Sequence, residues 1–199
     1  MPFPDEPFAQ WVDVLPYRER WAAEGSALLE QLRILMPGAD AIDHIGSTSV
    51  PGLPEKDCLD AMVQVTNLGQ ADFSRLSAAG FRERPEPWSR CETLDGTSYA
   101  KRVFAPPVDG RPVNIHIREV GSATARYALL FRDYLRADDN SRDVWGQFKT
   151  RLAESATDIY DYGGDKSGAQ PLLMASPSIG PSRLTGTPDA TVSYHPLVP

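Results

Sequence analysis

The residues best suited to chemistry fall in one stretch: Gly46-Ser47-Thr48, the twelve residues from Thr48 to Leu59, and then Asp60. A Gly-Ser turn offers closely spaced backbone N–H groups and a hydroxyl, donors that suit the phosphates of a nucleotide. A carboxylate on a neighbouring strand suits Mg²⁺, which takes one or two protein carboxylates and fills its shell with phosphate oxygens. By spacing alone, the same stretch is also an ordinary turn before a strand with one solvent-facing Asp. Further on, the alternation in Val113-Asn114-Ile115-His116-Ile117-Arg118 puts Asn114, His116 and Arg118 on one face of a strand. Cys58 shares the strand face of Asp60, but a thiol nucleophile needs an adjacent base and none is assigned. Asp57, three residues before Asp60, points to the other face and is no partner for it. His44 either touches a ligand or fixes the turn by bonding a backbone carbonyl, with the second role ahead.

The elements that must position these residues can be read from periodicity. Pro16 to Met36 reads as a helix, with Trp21, Leu28, Leu29, Leu32 and Leu35 recurring at helical spacing before Pro37-Gly38 ends it. Ala41 to Ile45 reads as a strand running into the loop Gly46 to Pro54. Cys58 to Val65 is the clearest strand, with Leu59, Ala61, Val63 and Val65 on one face and Cys58, Asp60, Met62 and Gln64 on the other. Asp72 to Ala79 is a short helix. Ser98 to Phe104 and Val113 to Glu119 read as two strands joined by a segment of hairpin composition, Pro106 to Pro112. Ser122 is placed to cap a helix through Tyr127, Leu130, Phe131 and Leu135, and another helix carries Val144, Trp145, Phe148 and Leu152 on one side. Trp88, Trp145, Tyr127 and Phe131 are core candidates. The expected architecture is α+β: a mixed, twisted sheet of four or five strands with helices mainly on one face. The other face, carrying Asp60, Asn114, His116 and Arg118, would line a cleft beside Gly46-Ser47.

The chain has 199 residues and a formal net charge of −7. That balance argues against sequence-independent nucleic-acid binding, which needs a Lys/Arg surface to displace counterions. A locally basic pocket for a small anion remains compatible with it. Apolar runs such as Tyr127 to Phe131 fall far short of the roughly 18 residues of a membrane span, and Met1 to Glu6 has no basic start or apolar h-region. Two cysteines, Cys58 and Cys91, rule out a disulfide scaffold or a Cys-rich zinc site. A cytoplasmic protein with reduced thiols, contacting neither membrane nor nucleic acid, is expected. Proline is 18 of 199, about twice the usual share of about 5%. From about Gly163 onward Gly, Pro, Ser and Thr dominate, so one folded domain over 1–166 is expected, followed by a Pro/Gly/Ser-rich tail over 167–199.

The longer string Ile42-Asp43-His44-Ile45-Gly46-Ser47-Thr48-Ser49-Val50-Pro51-Gly52-Leu53, with Lys56 and Leu59-Asp60, closely resembles the signature of the GrpB family. The resemblance continues in Lys101-Arg102-Val103-Phe104, Val113-Asn114-Ile115-His116-Ile117 and Phe131-Arg132-Asp133-Tyr134-Leu135-Arg136, covering roughly residues 14–166. It implies the nucleotidyltransferase superfamily with the DNA polymerase β-like fold. Active members resemble one another in a Gly-Ser turn, two carboxylates two apart on a strand, and often a third on an adjacent strand. Two apart on a strand means one face, where two metal ions can sit about 4 Å apart. Here Gly46, Ser47 and Asp60 match, but the second position is Met62, and the next strand offers Asn114 and His116.

The resemblance therefore implies a nucleotidyl- or phosphoryl-transfer enzyme using ATP or another nucleoside triphosphate, Mg²⁺ and a small-molecule acceptor. Gly46, Ser47 and Thr48 would hold phosphates, Asp60 would bind the metal, and His116 would orient or deprotonate the acceptor. Arg118, which shares a face with His116, is the preferred phosphate contact, with Lys56 also near; Lys101, Arg102, Arg111 and Lys166 are further cations close in sequence. Arg132 and Arg136, four apart on a helix, are expected to pair with Asp133, Asp138 or Asp139 in water. The Met62 departure keeps a non-catalytic nucleotide or metabolite sensor open, and an ATP-dependent ligase working through an adenylate would use the same site.

Overall fold

The computed structural model describes residues 12–174. The described elements are α1 (Arg20–Leu35), β1 (Ala41–Ile45), β2 (Leu59–Val65), α2 (Ser74–Ala78), β3 (Arg82–Glu83), β4 (Cys91–Leu94) and β5 (Thr97–Ala100). They continue with β6 (Arg102–Ala105), β7 (Val113–Glu119), α3 (Ala123–Ala137), α4 (Asp139–Ser155) and α5 (Ile159–Met174). A five-stranded mixed sheet has the order β1-β2-β7-β6-β3, with β2 and β7 parallel and the other neighbours antiparallel. β4 and β5 form a separate hairpin.

Alternation along β2 and β7 creates the two faces of this sheet. Leu59, Ala61, Val63 and Val65 join Val113, Ile115 and Ile117 in a core closed by Trp21, Leu28 and Leu32 of α1 and Leu76 of α2. α1 lies unusually close to β1, because a Cβ at Gly25 would stand 2.3 Å from the His44 ring. The expected mixed α+β sheet is present, but its second face is not left open. α3 crosses part of it, and Ala125, with Ala128 and Leu129 beside it, packs on Ile45 and the fully buried Met62. A second apolar cluster joins the loop residues Val50 and Leu53 to Phe131, Tyr134 and Leu135 of α3 and Trp145 of α4.

Ser122 caps α3 as its position predicts, its hydroxyl accepting from the Ala125 amide at 3.3 Å. Two readings need correction. The single strand expected over Ser98–Phe104 is two: β5 pairs with β4, while β6 pairs with β3 and β7. The break is at Lys101, whose amide donates to the Arg90 carbonyl (3.0 Å) and whose ammonium reaches Glu92 (3.0 Å). The folded part also runs past residue 166, since α5 continues to Met174 through Gly163, Gly164, Gly168 and Pro171. Packing overrides the poor propensity of those residues: Ile159 and Tyr162 pack with Val12, and Ala169, Leu173 and Met174 lean on the α3–α4 cluster. Residues 175–199, most of the expected tail, lie outside the described residues. No described helix is long and apolar enough to cross a membrane.

Candidate functional site

The site is assembled where β1 ends, where β2 begins, and on the facing row of β7. After Ile45 the chain turns at Gly46, in the left-handed half of conformational space (φ +68°), into a single 3-10 turn over Ser47–Ser49. Here glycine is required twice over, by its φ and by space, because a Cβ would stand 2.5 Å from Asp60 Oδ2. That close approach seats the turn directly against the Asp60 carboxylate.

The turn leaves the Ser47 and Thr48 amides without carbonyl partners, since its own bonds begin with Ser49 N–H to Gly46 O and Val50 N–H to Ser47 O. The Ser47 hydroxyl also has no partner among the described residues. The other two side chains are committed. Thr48 Oγ1 is hydrogen-bonded to His44 Nε2 (3.0 Å), and Ser49 Oγ donates to the Gly46 carbonyl (2.6 Å). Thr48 offers a ligand its amide, while its hydroxyl is shared with His44. His44 fixes the loop, and burial pushes its pKa down to about 4, with Arg136 and Arg132 adding to the effect against Asp60. The ring is neutral near pH 7.

Asp60 accepts from Asn114 Nδ2 (3.2 Å) and lies 3.4 Å from His116 Nε2. Asn114 is held in turn by the fully buried Arg84, which donates to its Oδ1 at 3.2 Å. Burial opposes the Asp60 charge, but the His116 hydrogen bond and the nearby Lys166 outweigh it and hold the carboxyl below its ordinary value. Burial lowers the pKa of His116 against the pull of Asp60, helped by Arg118. The pair is thus a carboxylate and a neutral imidazole that donates from Nε2. The remaining lone pair, on Nδ1, is buried without a partner. His116, expected to orient or deprotonate an acceptor, thus faces Asp60 through Nε2 and buries its other nitrogen away from the cleft.

Other expected ligands resolve differently. Arg118 is buried and bidentate on Glu92, with Nε–Oε1 2.6 Å and Nη2–Oε2 2.9 Å, and Lys101 joins the same carboxylate. The phosphate role expected for Arg118 does not fit this arrangement. Arg111 is tied to Asp57 and Glu24, and Asp57 also accepts from Trp21 Nε1 (2.8 Å), Arg18 and Arg20. Asp57 is accordingly the anchor of α1, on the side away from Asp60. Arg132 does bond Asp133, but it also reaches Asp43 (3.3 Å) and the His44 carbonyl (3.1 Å); Arg136 clamps the Ser49 carbonyl. Burial pushes the Cys58 thiol up to about 12, with Asp60 adding to the effect, so it is no thiolate at neutral pH.

Lys56 keeps a place near the site in company the sequence did not reveal. Its ammonium lies 5.6 Å from the Tyr162 ring centre and that of Lys166 lies 5.7 Å from it. Fully buried Lys149 bonds Glu55 (3.0 Å), and Lys166 approaches the same carboxylate at 3.9 Å. Three lysines thus surround one glutamate, leaving an excess of positive charge that extends to Asp60. Glu92 meets Arg118, Glu55 meets Lys149 and Arg84 meets Asn114 across 26, 94 and 30 residues, so no local pattern could have marked those contacts.

The donor set fits a single magnesium ion. Among the described residues Asp60 is an ionised, part-buried carboxylate with no Lys or Arg within salt-bridge distance, beside a neutral amide and a neutral ring. No described group of three His, Cys, Asp or Glu residues is arranged to hold a metal. Most of the coordination shell would therefore come from ligand oxygens and water, the usual habit of Mg²⁺.

This sheet, with the Gly-Ser turn beside a strand carboxylate, defines a nucleotidyltransferase-type fold. The Cid1 poly(U) polymerase bound to Mg 3′-dATP superposes with a TM-score of 0.50 at 16% identity, over 75% of this chain and 48% of that one, a likeness of fold alone. The GrpB crystal structure from Enterococcus faecalis superposes with a TM-score of 0.65 at 24% identity, covering 81% of this chain and 97% of that one. The GrpB protein family matches residues 11–171, and the chain belongs to that family. A UPF0157 protein of Streptomyces coelicolor is 37% identical over 167 residues, 81% of each chain. A dephospho-CoA kinase of Mycolicibacterium paratuberculosis is 33% identical over 166 residues, which are 74% of this chain but 40% of the kinase.

Proposed function

We propose that the chain binds a magnesium–nucleoside triphosphate, ATP or another, between Gly46-Ser47 and Asp60 and transfers a nucleotidyl or phosphoryl group to a small acceptor. The observation that carries the reading is the contact of the Gly46 turn with an ionised carboxylate that makes no salt bridge to a lysine or arginine among the described residues. The Ser47 hydroxyl and the Ser47 and Thr48 amides would donate to phosphate oxygens. Asp60, aimed by Asn114 and His116, would hold the metal; bound Mg²⁺ supplies neutralisation of charge on the phosphates. Lys56 and Lys166 would offset the rest of the triphosphate charge. Since His116 Nδ1 is buried, the acceptor that suits the site is one already ionised, a phosphate or a carboxylate, which needs no base. The dephospho-CoA kinase relatives support phosphoryl transfer as a class, although their activity belongs to chains of which this one matches two-fifths.

A second reading, a nucleotide sensor without turnover, is favoured by Met62. Where a second metal-binding carboxylate would stand, a fully buried thioether packs under α3. Incubation with ATP, Mg²⁺ and cell extract separates the two. Pyrophosphate or ADP release that Asp60→Asn abolishes supports an enzyme, pyrophosphate marking nucleotidyl transfer or ligation through an adenylate and ADP marking phosphoryl transfer. Nucleotide binding without release of either supports the sensor.

A further inference from the structure

Behind the Ser47–Ser49 turn, on the α1 side of β1, lies a pocket of about 420 Å³ that shares with the nucleotide reading only Thr48. Its walls carry Tyr17, His44, Arg136 and Arg142, and its apolar part is Leu29 with neighbouring alanine and proline. No Asp or Glu lines it among the described residues. The acids that balance the two arginines stand outside, toward solvent: Asp133, Asp139 and Asp143 have side chains 48%, 81% and 63% exposed. Exposed pairs of this kind are weak.

Both guanidiniums keep donors to spare. Arg136 gives Nε and Nη2 to the Ser49 carbonyl, and its Nη1 has a 3.6 Å approach to Asp133. Arg142 gives Nη1 to Asp139 and Nε to Asp143, and its Nη2 has no partner among the described residues. The size is that of a small-molecule site. Two arginines, a tyrosine and hydroxyls around an apolar patch, with no acid, match one ligand chemistry. We propose that this pocket binds a small organic anion, a phosphate ester or carboxylate with an apolar body. The proposal stands apart from the nucleotide reading, because β1 separates the pocket from Asp60: His44 and Asp60 project from opposite faces of the sheet.

Calorimetry with phenyl phosphate, benzoate and inorganic phosphate tests it. Phenyl phosphate or benzoate should bind with Kd of about 1 mM or tighter, and inorganic phosphate, lacking the apolar body, several-fold more weakly. The organic probe that binds tells a phosphate ester from a carboxylate. Arg142→Gln should weaken binding roughly tenfold or more, and Asp60→Asn should leave it unchanged. Ala22→Glu, on the exposed surface of α1 at the pocket wall, should abolish binding by repulsion and serves even if Arg142→Gln fails to fold. Absence of binding by either organic probe, or binding indifferent to Ala22→Glu, overturns the proposal. Loss on Asp60→Asn with retention in Ala22→Glu would put the anion at the nucleotide site and also overturns it.

Discussion

Of the carboxylates on the second side of the sheet, the chain treats Glu92 and Asp60 oppositely. Glu92 is gripped by Arg118 through two hydrogen bonds and by Lys101 through a third. Asp60 has the Asn114 amide and a neutral imidazole. Both are ionised, and the Arg118 contacts overcome burial to hold Glu92 far below the carboxylate range. The lesson is that charge in a fold is informative when it lacks a partner. A carboxylate locked by cations is part of the scaffold, whereas one held by neutral donors beside an open turn is the one to which the proposed function assigns a ligand's cation.

The strongest way to break this contrast is Asp60→Asn, nearly isosteric and uncharged. Turnover should fall on the order of 10³-fold or more, with the urea midpoint little changed. An unaltered rate and unaltered Mg²⁺ dependence would put the chemistry elsewhere. The complementary change is Arg118→Met, which leaves Glu92 part-buried with Lys101 alone. It should cost about 3 kcal/mol of stability by urea denaturation and leave nucleotide affinity nearly unchanged. A tenfold loss of affinity at unchanged stability would return Arg118 to the phosphates.

The neutral histidines make a prediction about pH. His44 and His116 have lower pKa values folded than the roughly 6.5 they have unfolded. Protons therefore bind the unfolded chain first, and stability should drop as pH falls from about 6.5 toward 4, by on the order of 2 kcal/mol for His44. Glu55, Asp57, Asp60 and Glu92 are all held low, so their contribution persists above about pH 4.5 and is lost below it. Denaturation curves at pH 7, 5.5 and 4.5 should show the first drop already between the upper two; constant stability to pH 4.5 would mean charged histidines in the fold.

Much of this was legible in the chain. Strict alternation from Leu59 to Val65 and from Val113 to Glu119 set both faces of the two central strands, and Gly46-Ser47 with Asp60 marked where a turn meets a carboxylate. What was hidden shares one cause, partners distant in sequence. Arg118 shares a strand face with His116, and nothing local reveals that Glu92, 26 residues upstream, occupies it. Lys101 lies inside an apparently continuous strand because its role is to switch sheets, which depends on Arg90 and Glu92. Composition placed the end of the domain too early, since α5 is stabilised by what Tyr162 and Leu173 touch and not by its own residues.

The smallest effect sharpens the contrast at its edge. Lys166→Gln removes one of the three lysines around Glu55, part-exposed and screened. It should weaken nucleoside triphosphate binding by roughly fivefold, about 1 kcal/mol, with less effect at high salt. Equal weakening at every ionic strength would mean a packing role against Tyr162.

Isothermal titration of ATP into the protein, once with Mg²⁺ and once with EDTA, decides whether Asp60 takes part in holding a metal–nucleotide. If Asp60 is the uncompensated carboxylate that completes a magnesium site with ligand phosphates, affinity should be at least about tenfold higher with Mg²⁺, and Asp60→Asn should erase the difference. The same weak affinity under both conditions would contradict the account.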